Sequence, residues 1–569
     1  MWGEVVSTLS SFAADDLREF SEPQFEVPSS LEYPDLPAWG LLNRAAALMP
    51  GRLACHYNDL EWSWEELNHD AMRAADMLRR LGVRPGDRVG ILLPNCPEYI
   101  IALNGIWRAG GIAVAISPLS VVNDVDRLLQ LSECRIVICL DMLAHLLTGE
   151  ARPDRTLYVS LRPGLPLFQQ IGYLLLRRRR IGSWWLSVSD RVGWFWDEMK
   201  DATPVKVPHE VGDLNEPAYI LATGGTTGDP KAVTLSHRNL VCNAWQQYYW
   251  AGGVIGREKM LAVLPFFHSY GLSATVLCGT ACVASLYLDH RFNVRQVIRH
   301  IEKHRPTIFH AVPAMLVALN SHLRRHTADL DSLKWVISGG AGLPADVAEE
   351  FASHTGGLVV EGYGLSEASP VTHAGPLNIP SDNGTIGLPM PDTECRIVST
   401  DDEESDVADG ETGELLVKGP QVMMGYWNNE SATQKTIRNG WLYTGDLAQK
   451  LPGGFYRLIE RKKDLIITSG FNVFPQEVEE ALLNCPGVTE AAVVGIPDKQ
   501  RGEIVKAWLV MESKKLWKPD EIHAWCRDNL AAHKRPREIE HSPNGLPRNF
   551  LGKLLRRRLR EPNRASPEE

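Results

Sequence analysis

The residues whose types and spacing best suit chemistry lie in a short segment rich in glycine and threonine, residues 223–231. Glycines let backbone N–H groups turn onto an anion, and threonine hydroxyls and a lysine ammonium add donors and positive charge. Apolar runs on both sides predict strands, and Ser236 is a suitable N-cap for a following helix. The segment predicts a phosphate-binding loop, with a plain Gly/Thr turn as the alternative. It is not a Walker loop, because no Gly-Lys-Ser/Thr follows at the required spacing. Its candidate residues are Thr223, Gly224, Gly225, Thr226, Thr227, Gly228 and Lys231.

Several other candidates follow predicted strands. Runs at residues 260–264, 307–312, 334–337 and 358–360 read as strands, and the last two end in glycine-rich turns. Because open α/β sheets bind ligands at the carboxyl edge, these turns should converge on one site. Tyr363 offers an aromatic face for a nucleotide, and Glu367 offers a carboxylate for the metal that accompanies phosphates. His268 also follows a strand, although a single histidine there is more often structural.

Two further candidates lie near the C-terminal end of the chain. Asp446 follows a glycine turn and is the kind of acceptor that binds two ribose hydroxyls, with a turn cap as the alternative. Lys553 also follows a glycine, but a lone lysine is usually exposed to solvent. Spacing alone therefore gives little reason to choose Lys553.

Composition limits the class of protein. At 569 residues the chain needs two or more domains, and 44% hydrophobic with 23% charged residues is typical of a globular protein. The net charge of −11 argues against nucleic acid as the main partner. The ten cysteines are scattered, and only Cys278 and Cys282 are close; no metal set is completed. We find no signal peptide and no run long enough to cross a bilayer, so we expect a cytoplasmic protein.

The chain divides into three parts by pattern. Residues 1–30 are acidic and look like an N-terminal arm; residues 31–461 alternate strands and helices and end in a β subdomain. Residues 462–569 have the strand and helix order of a small α+β domain. The fold class predicted is α/β, with parallel sheets in the large domain.

Residues 161–200 interrupt this alternation. An apolar stretch, four arginines at residues 177–180 and nearby tryptophans at 184, 185, 194 and 196 occur together. That combination suits the interface of an anionic membrane. A surface insertion with tryptophans packed on the domain and solvated arginines is the alternative.

Five motifs in order resemble the adenylate-forming superfamily of acyl- and aryl-CoA synthetases, adenylation domains and luciferases. They are Thr-Gly-Gly-Thr-Thr-Gly-Asp-Pro-Lys at 223–231, Tyr-Gly-Leu-Ser-Glu at 363–367, Tyr-Thr-Gly-Asp at 443–446, Glu-Arg-Lys-Lys-Asp at 460–464 and Pro-Arg-Asn-Phe-Leu-Gly-Lys at 547–553. The resemblance spans residues 31–559 and is closest to bacterial long-chain fatty acid–CoA ligases. It implies a large α/β domain with a β subdomain and a small mobile α+β C-terminal domain.

The resemblance also implies a role for each candidate residue. The loop at 223–231 would hold the β- and γ-phosphates of ATP, with Thr223 and Glu367 at Mg²⁺. The adenine would lie beside Gly340, Ala341, Gly342, Tyr363 and Gly364, and the α-phosphate beside Ser366. Asp446 and Arg461 would hold the ribose, and Lys463 would be the hinge. Lys553 would act in adenylation, and the candidate catalytic residues are Lys553, Glu367, His268 and Thr223.

The implied reaction joins a fatty acid to CoA through an acyl-adenylate. The chain departs from the family pattern at Gly224, Ala232, Ser366 and Glu460, none of which removes a needed charge. Two alternatives stay open: an acyl-adenylate ligase that loads a carrier protein, and a nucleotide-binding membrane protein without enzymatic activity. Acyl-chain length and homodimer formation also stay open.

Overall fold

The structure is a computed structural model that describes residues 28–184, 186, 188–205, 208–223, 231–378, 384–469, 471–498, 500–548 and 554–560. Its contacts divide the chain into two compact units. Unit 1 comprises Met1–Glu394 and Val417–Leu442, and unit 2 comprises Cys395–Leu416 and Tyr443–Glu569. The boundary predicted between residues 461 and 462 stays a prediction.

Unit 1 contains an eight-stranded sheet, counted over its described residues. Five neighbouring pairs are parallel, and the pairs at one end are antiparallel. This confirms the parallel α/β architecture expected from alternating strands and helices. In spatial order its strands are Gly425–Tyr426, Lys231–Ser236, Pro217–Thr223, Ile112–Ala115, Arg88–Leu92, Ile136–Leu140, Arg155–Val159 and Val192–Trp194.

A second, nine-stranded sheet of unit 1 carries the glycine-rich strand ends. Its central strands are parallel, so their carboxyl ends meet at one edge, as predicted. In spatial order the strands are Leu388–Pro389, Val371–Ala374, Leu358–Gly364, Trp335–Ser338, Ile308–Ala311, Lys259–Ala262, Ser285–Leu288, Leu53–Tyr57 and Leu60–Ser63.

The helices of unit 1 cover these sheets with apolar faces. In Trp64–Arg80, Ser63 and Glu66 form a capping box, and Leu67 and Leu78 are buried. No described helix of the structure combines the length and apolarity needed to cross a membrane. Among its described residues, the other α-helices of unit 1 are Gly40–Leu48, Pro97–Ala109, Val122–Ser132, Leu167–Ile181, Phe195–Glu198, His237–Trp250, Cys278–Ala281, Val294–His304, Pro313–Leu323, Ala345–Thr355 and Glu430–Thr436, with a π-helix at Gly271–Leu277.

The insertion forms the helix Leu167–Ile181, and two expectations about it are wrong. Arg177 is buried in an ion pair with Asp141, whose Oδ2 lies 3.0 Å from Arg177 Nη1, so only three of the four arginines are exposed. Trp194 and Trp196 pack against the core of unit 1, and the Trp196 indole donates to Glu98. These two tryptophans are therefore not interfacial anchors.

Unit 2 contains the predicted α+β arrangement, with Val478 and Leu482 of its first helix buried in its core. The helices are Pro475–Leu483, Pro519–Asn529 and Arg556–Arg560, and the strands of the C-terminal sheet are Phe471–Val473, Ile466–Thr468, Gly502–Met511, Val488–Asp498 and Glu538–His541. Another sheet, five-stranded over the described residues, has the strands Glu394–Val398, Gly413–Lys418, Trp441–Lys450, Ile437–Arg438 and Tyr456–Arg461.

Candidate functional site

The candidate phosphate loop connects the two strands of a β-hairpin. Thr223 pairs directly with Lys231 at the end of the antiparallel strands that the loop joins, so the loop starts and ends at adjacent positions. Ser236 caps the following helix with Asn239, as predicted. Gly224, Gly225, Thr226, Thr227 and Gly228 lie outside the described residues, as does the side chain of Thr223.

Beside this hairpin, Lys231, Tyr426 and Glu367 form a continuous group. The Lys231 ammonium lies 4.7 Å from the centre of the Tyr426 ring. The Tyr426 hydroxyl donates a hydrogen bond of 2.9 Å to Glu367 Oε1. One aromatic side chain thus links the lysine of the predicted phosphate loop to the predicted metal ligand.

Tyr426 was missed as a site residue by the sequence analysis. The short strand Gly425–Tyr426 pairs with Lys231–Ser236, and Met423 N–H donates to the Glu367 carbonyl at 2.8 Å. Burial, and then the Glu367 charge, raise the pKa of Tyr426, so the phenol stays protonated and can donate. Only the segment Gly-Tyr-Trp signalled this strand, and sequence alone does not indicate which strand pairs with it.

The turns after the parallel strands meet as predicted. Ser269 Oγ and Ser366 Oγ lie 3.0 Å apart, which joins the turn near His268 to the turn that holds Glu367. His268 Nδ1 accepts a hydrogen bond of 3.2 Å from the Tyr270 N–H. The structure therefore brings His268 to the edge that carries Ser366, while one ring nitrogen of His268 is already engaged by the backbone.

Glycine is required at two positions of this edge. Gly340 has a φ of +82°, in the left-handed region that side chains rarely adopt, and it lies with Ala341 and Gly342 in the turn after Trp335–Ser338. A Cβ on Gly364 would lie 2.0 Å from the Pro370 carbonyl oxygen. Larger residues at these two positions would force the backbone to move.

Two titratable groups, His373 and Glu361, lie on the paired strands that include Tyr363 and His373. Tyr363 is buried, and its ring centre is 5.8 Å from that of His373, whose pKa burial lowers to about 3. Glu361 precedes this tyrosine, and its carboxylate accepts a 3.4 Å hydrogen bond from the Leu343 N–H. Burial raises the pKa of Glu361 to about 8. Both groups therefore favour their neutral forms near neutral pH.

In unit 2, the predicted ribose ligands contact each other. Asp446 and Arg461 are directly opposite on paired strands, and Asp446 Oδ1 lies 2.5 Å from Arg461 Nε. The Asp446 N–H donates to Thr444 Oγ1 at 3.1 Å, which holds the buried carboxylate at the turn. The carboxylate is thus positioned by a charge and by its own backbone.

The remaining candidates of unit 2 are Lys463, which the structure describes, and Lys553, which it does not. Lys463 lies in the 3₁₀ turn Lys462–Asp464 and is exposed. Its neighbour Lys462 is held by Glu414 and Glu403, at 2.7 and 2.5 Å. Lys553 lies outside the described residues.

Among the described residues, no three His, Cys, Asp or Glu side chains are grouped so that they could hold a metal ion. Mg²⁺ bound with a nucleotide commonly uses one or two carboxylates together with the phosphates. The single carboxylate of Glu367 therefore fits a metal that arrives with ATP, and does not fit a metal site made by protein alone.

Comparison with known proteins identifies the family of this chain. The sequence profile of the AMP-binding enzyme family matches residues 42–427, and that of the AMP-binding enzyme C-terminal domain matches residues 477–553. A long-chain-fatty-acid–CoA ligase of Bacillus subtilis (strain 168) is 36% identical over 541 residues, covering 94% of this chain and 96% of that protein. A protein of the same name from Escherichia coli O157:H7 is 34% identical over 502 residues, covering 86% and 87%.

A solved structure supports the fold over nearly the whole length. The crystal structure of ATP-bound MatB from Rhodopseudomonas palustris superposes with a TM-score of 0.79 at 26% identity, covering 93% of this chain and 99% of that one. With both family profiles matched in order, this chain belongs to the AMP-binding enzyme family.

Proposed function

We propose that this protein is an AMP-forming acid–thiol ligase that converts a long-chain fatty acid, ATP and CoA to acyl-CoA, AMP and pyrophosphate. The observation that carries the proposal is the 36% identity to a long-chain-fatty-acid–CoA ligase across 94% of the chain. The group formed by Lys231, Tyr426 and Glu367 supports it, since a chain without this chemistry has no need of such a group.

The proposed chemistry explains why two steps are needed. A carboxylate does not accept a thiol nucleophile, because its leaving group would be oxide. When the carboxylate attacks the α-phosphate of ATP, it forms an acyl-adenylate and releases pyrophosphate. The CoA thiol then attacks the acyl carbonyl, and AMP leaves.

Residues of unit 1 would serve the first step. Backbone N–H groups of residues 223–228 and the Lys231 ammonium bind the β- and γ-phosphates, and Ser366 contacts the α-phosphate. Glu367, held by the Tyr426 hydroxyl, binds the Mg²⁺ that accompanies ATP, with Thr223 as a second ligand. When bound, this ion neutralises charge on the phosphates. Gly340, Ala341, Gly342, Tyr363 and Gly364 receive the adenine, and His268 lies near the reacting groups.

Residues of unit 2 would hold the ribose and allow the change from adenylation to thioester formation. Asp446 accepts hydrogen bonds from the ribose hydroxyls while Arg461 fixes its carboxylate. Lys553 offsets the negative charge where the two anions meet. Lys463 is the hinge about which the C-terminal domain turns before the thiol attacks.

We also propose that the enzyme works in the cytoplasm, in peripheral contact with the inner membrane face through residues 161–200. A long acyl chain partitions into lipid, so an enzyme at that surface meets more of its substrate. Homodimer formation stays a prediction, which sedimentation velocity measures directly.

The test is a panel of fatty acids of increasing chain length, assayed for AMP release with and without CoA. We expect AMP release to depend on CoA and to be highest with long chains. The variant Lys553→Ala should lose acyl-adenylate formation by about a hundredfold or more, yet still make acyl-CoA from acyl-adenylate supplied ready-made. Turnover that does not require CoA would favour carrier-protein loading, and equal loss of both half-reactions would reject the role of Lys553.

A further inference from the structure

The helix Leu167–Ile181 buries two polar side chains and exposes several large apolar ones. Tyr173 and Arg177 are buried on its inner side, and both bind the carboxylate of Asp141, which is itself fully buried. Arg177 also donates to the Trp184 carbonyl. Because breaking a buried ion pair is costly, this group fixes which side of the helix faces outward.

The outward side of this helix is apolar. The side chains of Leu167, Phe168 and Ile171 are 82%, 73% and 64% exposed, and Leu175 and Leu176 are also exposed. Phe168, Ile171 and Leu175 follow one another at helical spacing, so they share one face. Of the fourteen large hydrophobic side chains exposed in the described part of the chain, five lie on this helix. Such a concentration marks an interaction surface.

The same surface is strongly basic. Arg178, Arg179 and Arg180 at the end of the helix are exposed, and no acidic residue occurs between Asp154 and Asp190. The Arg178 guanidinium lies 4.6 Å from the centre of the Trp184 ring. A chain of net charge −11 therefore presents its exposed apolar helix inside a locally cationic region.

We propose that the outer face of Leu167–Ile181 docks on an anionic phospholipid bilayer, with Phe168, Ile171 and Leu175 entering the interface and Arg178, Arg179 and Arg180 at the headgroups. This deepens, and rests on, the proposed action on long-chain fatty acids. The helix lies in the plane of the bilayer surface and does not cross it. Arg177 takes no part in lipid binding, because Asp141 holds it inside the protein.

Charge complementarity decides between lipid and a second copy of this chain. A second copy also carries a net charge of −11, but a face of three arginines would meet its own like charges across a two-fold interface. Anionic headgroups supply opposite charge over the whole face, and long arginine stems extend to them while apolar side chains are buried.

The test is co-sedimentation of the full chain with vesicles of phosphatidylglycerol and phosphatidylcholine in equal parts, and with phosphatidylcholine alone. The variant Phe168→Ser/Ile171→Ser/Leu175→Ser should bind the anionic vesicles at least about tenfold more weakly than wild type. The variant Arg178→Gln/Arg179→Gln/Arg180→Gln should lose the preference for anionic vesicles and the sensitivity to salt. A control with Val317→Ser/Leu483→Ser/Leu516→Ser, which removes apolar side chains exposed elsewhere, should bind as wild type.

Thermal melting and AMP release with a short, water-soluble fatty acid show that each variant is folded. The AMP release also tests the proposed reaction separately from lipid binding. Wild-type affinity in the triple serine variant, or equal weakening in the control, would overturn the docking proposal. Absence of vesicle binding by wild type would also overturn the proposal. This holds both for a helix covered by a second copy of the chain and for one covered by residues 1–27.

Discussion

Two candidate carboxylates, Glu367 in unit 1 and Asp446 in unit 2, are held in different ways. Glu367 in unit 1 accepts its hydrogen bond from a neutral phenol, Tyr426, which leaves its negative charge uncompensated by that partner. Asp446 in unit 2 is bound directly by the Arg461 guanidinium at 2.5 Å. The first arrangement orients a charge, and the second both orients and neutralises it.

This difference matches the ligands that we propose for them. A divalent cation is attracted by the full charge of a carboxylate, so a neutral partner at Glu367 preserves its function. Ribose hydroxyls are uncharged donors and need only well-placed acceptor oxygens, so the charge of Arg461 costs Asp446 little. Replacing each residue by a neutral isostere should therefore produce unequal losses.

The largest effect is expected for Glu367→Gln. The amide keeps the shape but carries no charge for Mg²⁺, so the rate of acyl-adenylate formation should fall by about a hundredfold or more. The Mg²⁺ concentration required for half-maximal rate should rise. Pyrophosphate release at graded Mg²⁺ measures both, with the melting temperature as the control for folding. An unchanged Mg²⁺ dependence would mean that the metal binds elsewhere.

Asp446→Asn should have a smaller effect than Glu367→Gln, and it should act on the binding of ATP. We expect KM for ATP to rise by about tenfold while kcat changes little, because one acceptor oxygen is retained and no reacting charge is lost. Steady-state kinetics at saturating fatty acid and CoA measure this division. If kcat fell as strongly as in Glu367→Gln, the contrast between the two carboxylates would be wrong.

Tyr426→Phe tests whether the phenol acts through Glu367. Removing one hydrogen bond to a charged group should lower kcat by about tenfold or less. In a chain that already carries Glu367→Gln the same change should have almost no effect, since the charge to be positioned is gone. The four kcat values of this double-mutant cycle decide it, and additive losses would show that Tyr426 acts independently.

The smallest expected effect concerns pH and Glu361, a carboxylate six positions before Glu367 whose pKa is raised by burial. Its folded pKa, about 8, is above the ordinary value of 4.5, so the neutral form stabilises the fold at low pH. That contribution is complete below about pH 4.5 and is lost as pH rises through about 8. Glu361→Gln should remove this loss of stability. The free energy of unfolding of the variant, relative to that of wild type, should therefore increase as pH rises.

Urea unfolding of both proteins from pH 5 to 8 measures the difference, with a slope of at most about 1.4 kcal/mol per pH unit. Parallel curves for the two proteins would show that Glu361 is already ionised in the folded chain at pH 5.

Local pattern predicted the fold well where local physics decides it. The N-cap at Ser236, the alternation of strands and helices in the large domain and the α+β order of the C-terminal residues were expected and are confirmed. The strand ends near Ser366 meet because parallel strands must align their carboxyl edges. These features depend on helix period, hydrogen-bond capping and strand direction, which short stretches of sequence encode.

Contacts between distant segments were not predicted. Tyr426 reaches Glu367 only because a two-residue strand pairs with the phosphate hairpin, and no periodicity marks that pairing. The four consecutive arginines looked equivalent in sequence, but Asp141, far along the chain, buries one of them. The inward packing of the tryptophans at 194 and 196 on the core of unit 1 was expected only under the alternative of a surface insertion.

The sequence by itself therefore determined the residue types of the site, the order of its motifs and the α/β class, because these follow from side-chain chemistry and short-range backbone preference. Tertiary structure alone decided which side chain orients Glu367 and which face of Leu167–Ile181 is exposed. The physical reason is that hydrogen bonds and ion pairs depend on distances of a few ångströms between segments that are tens of residues apart in sequence, 59 for Tyr426 and Glu367 and 36 for Arg177 and Asp141. Such distances exist only once the sheets have assembled.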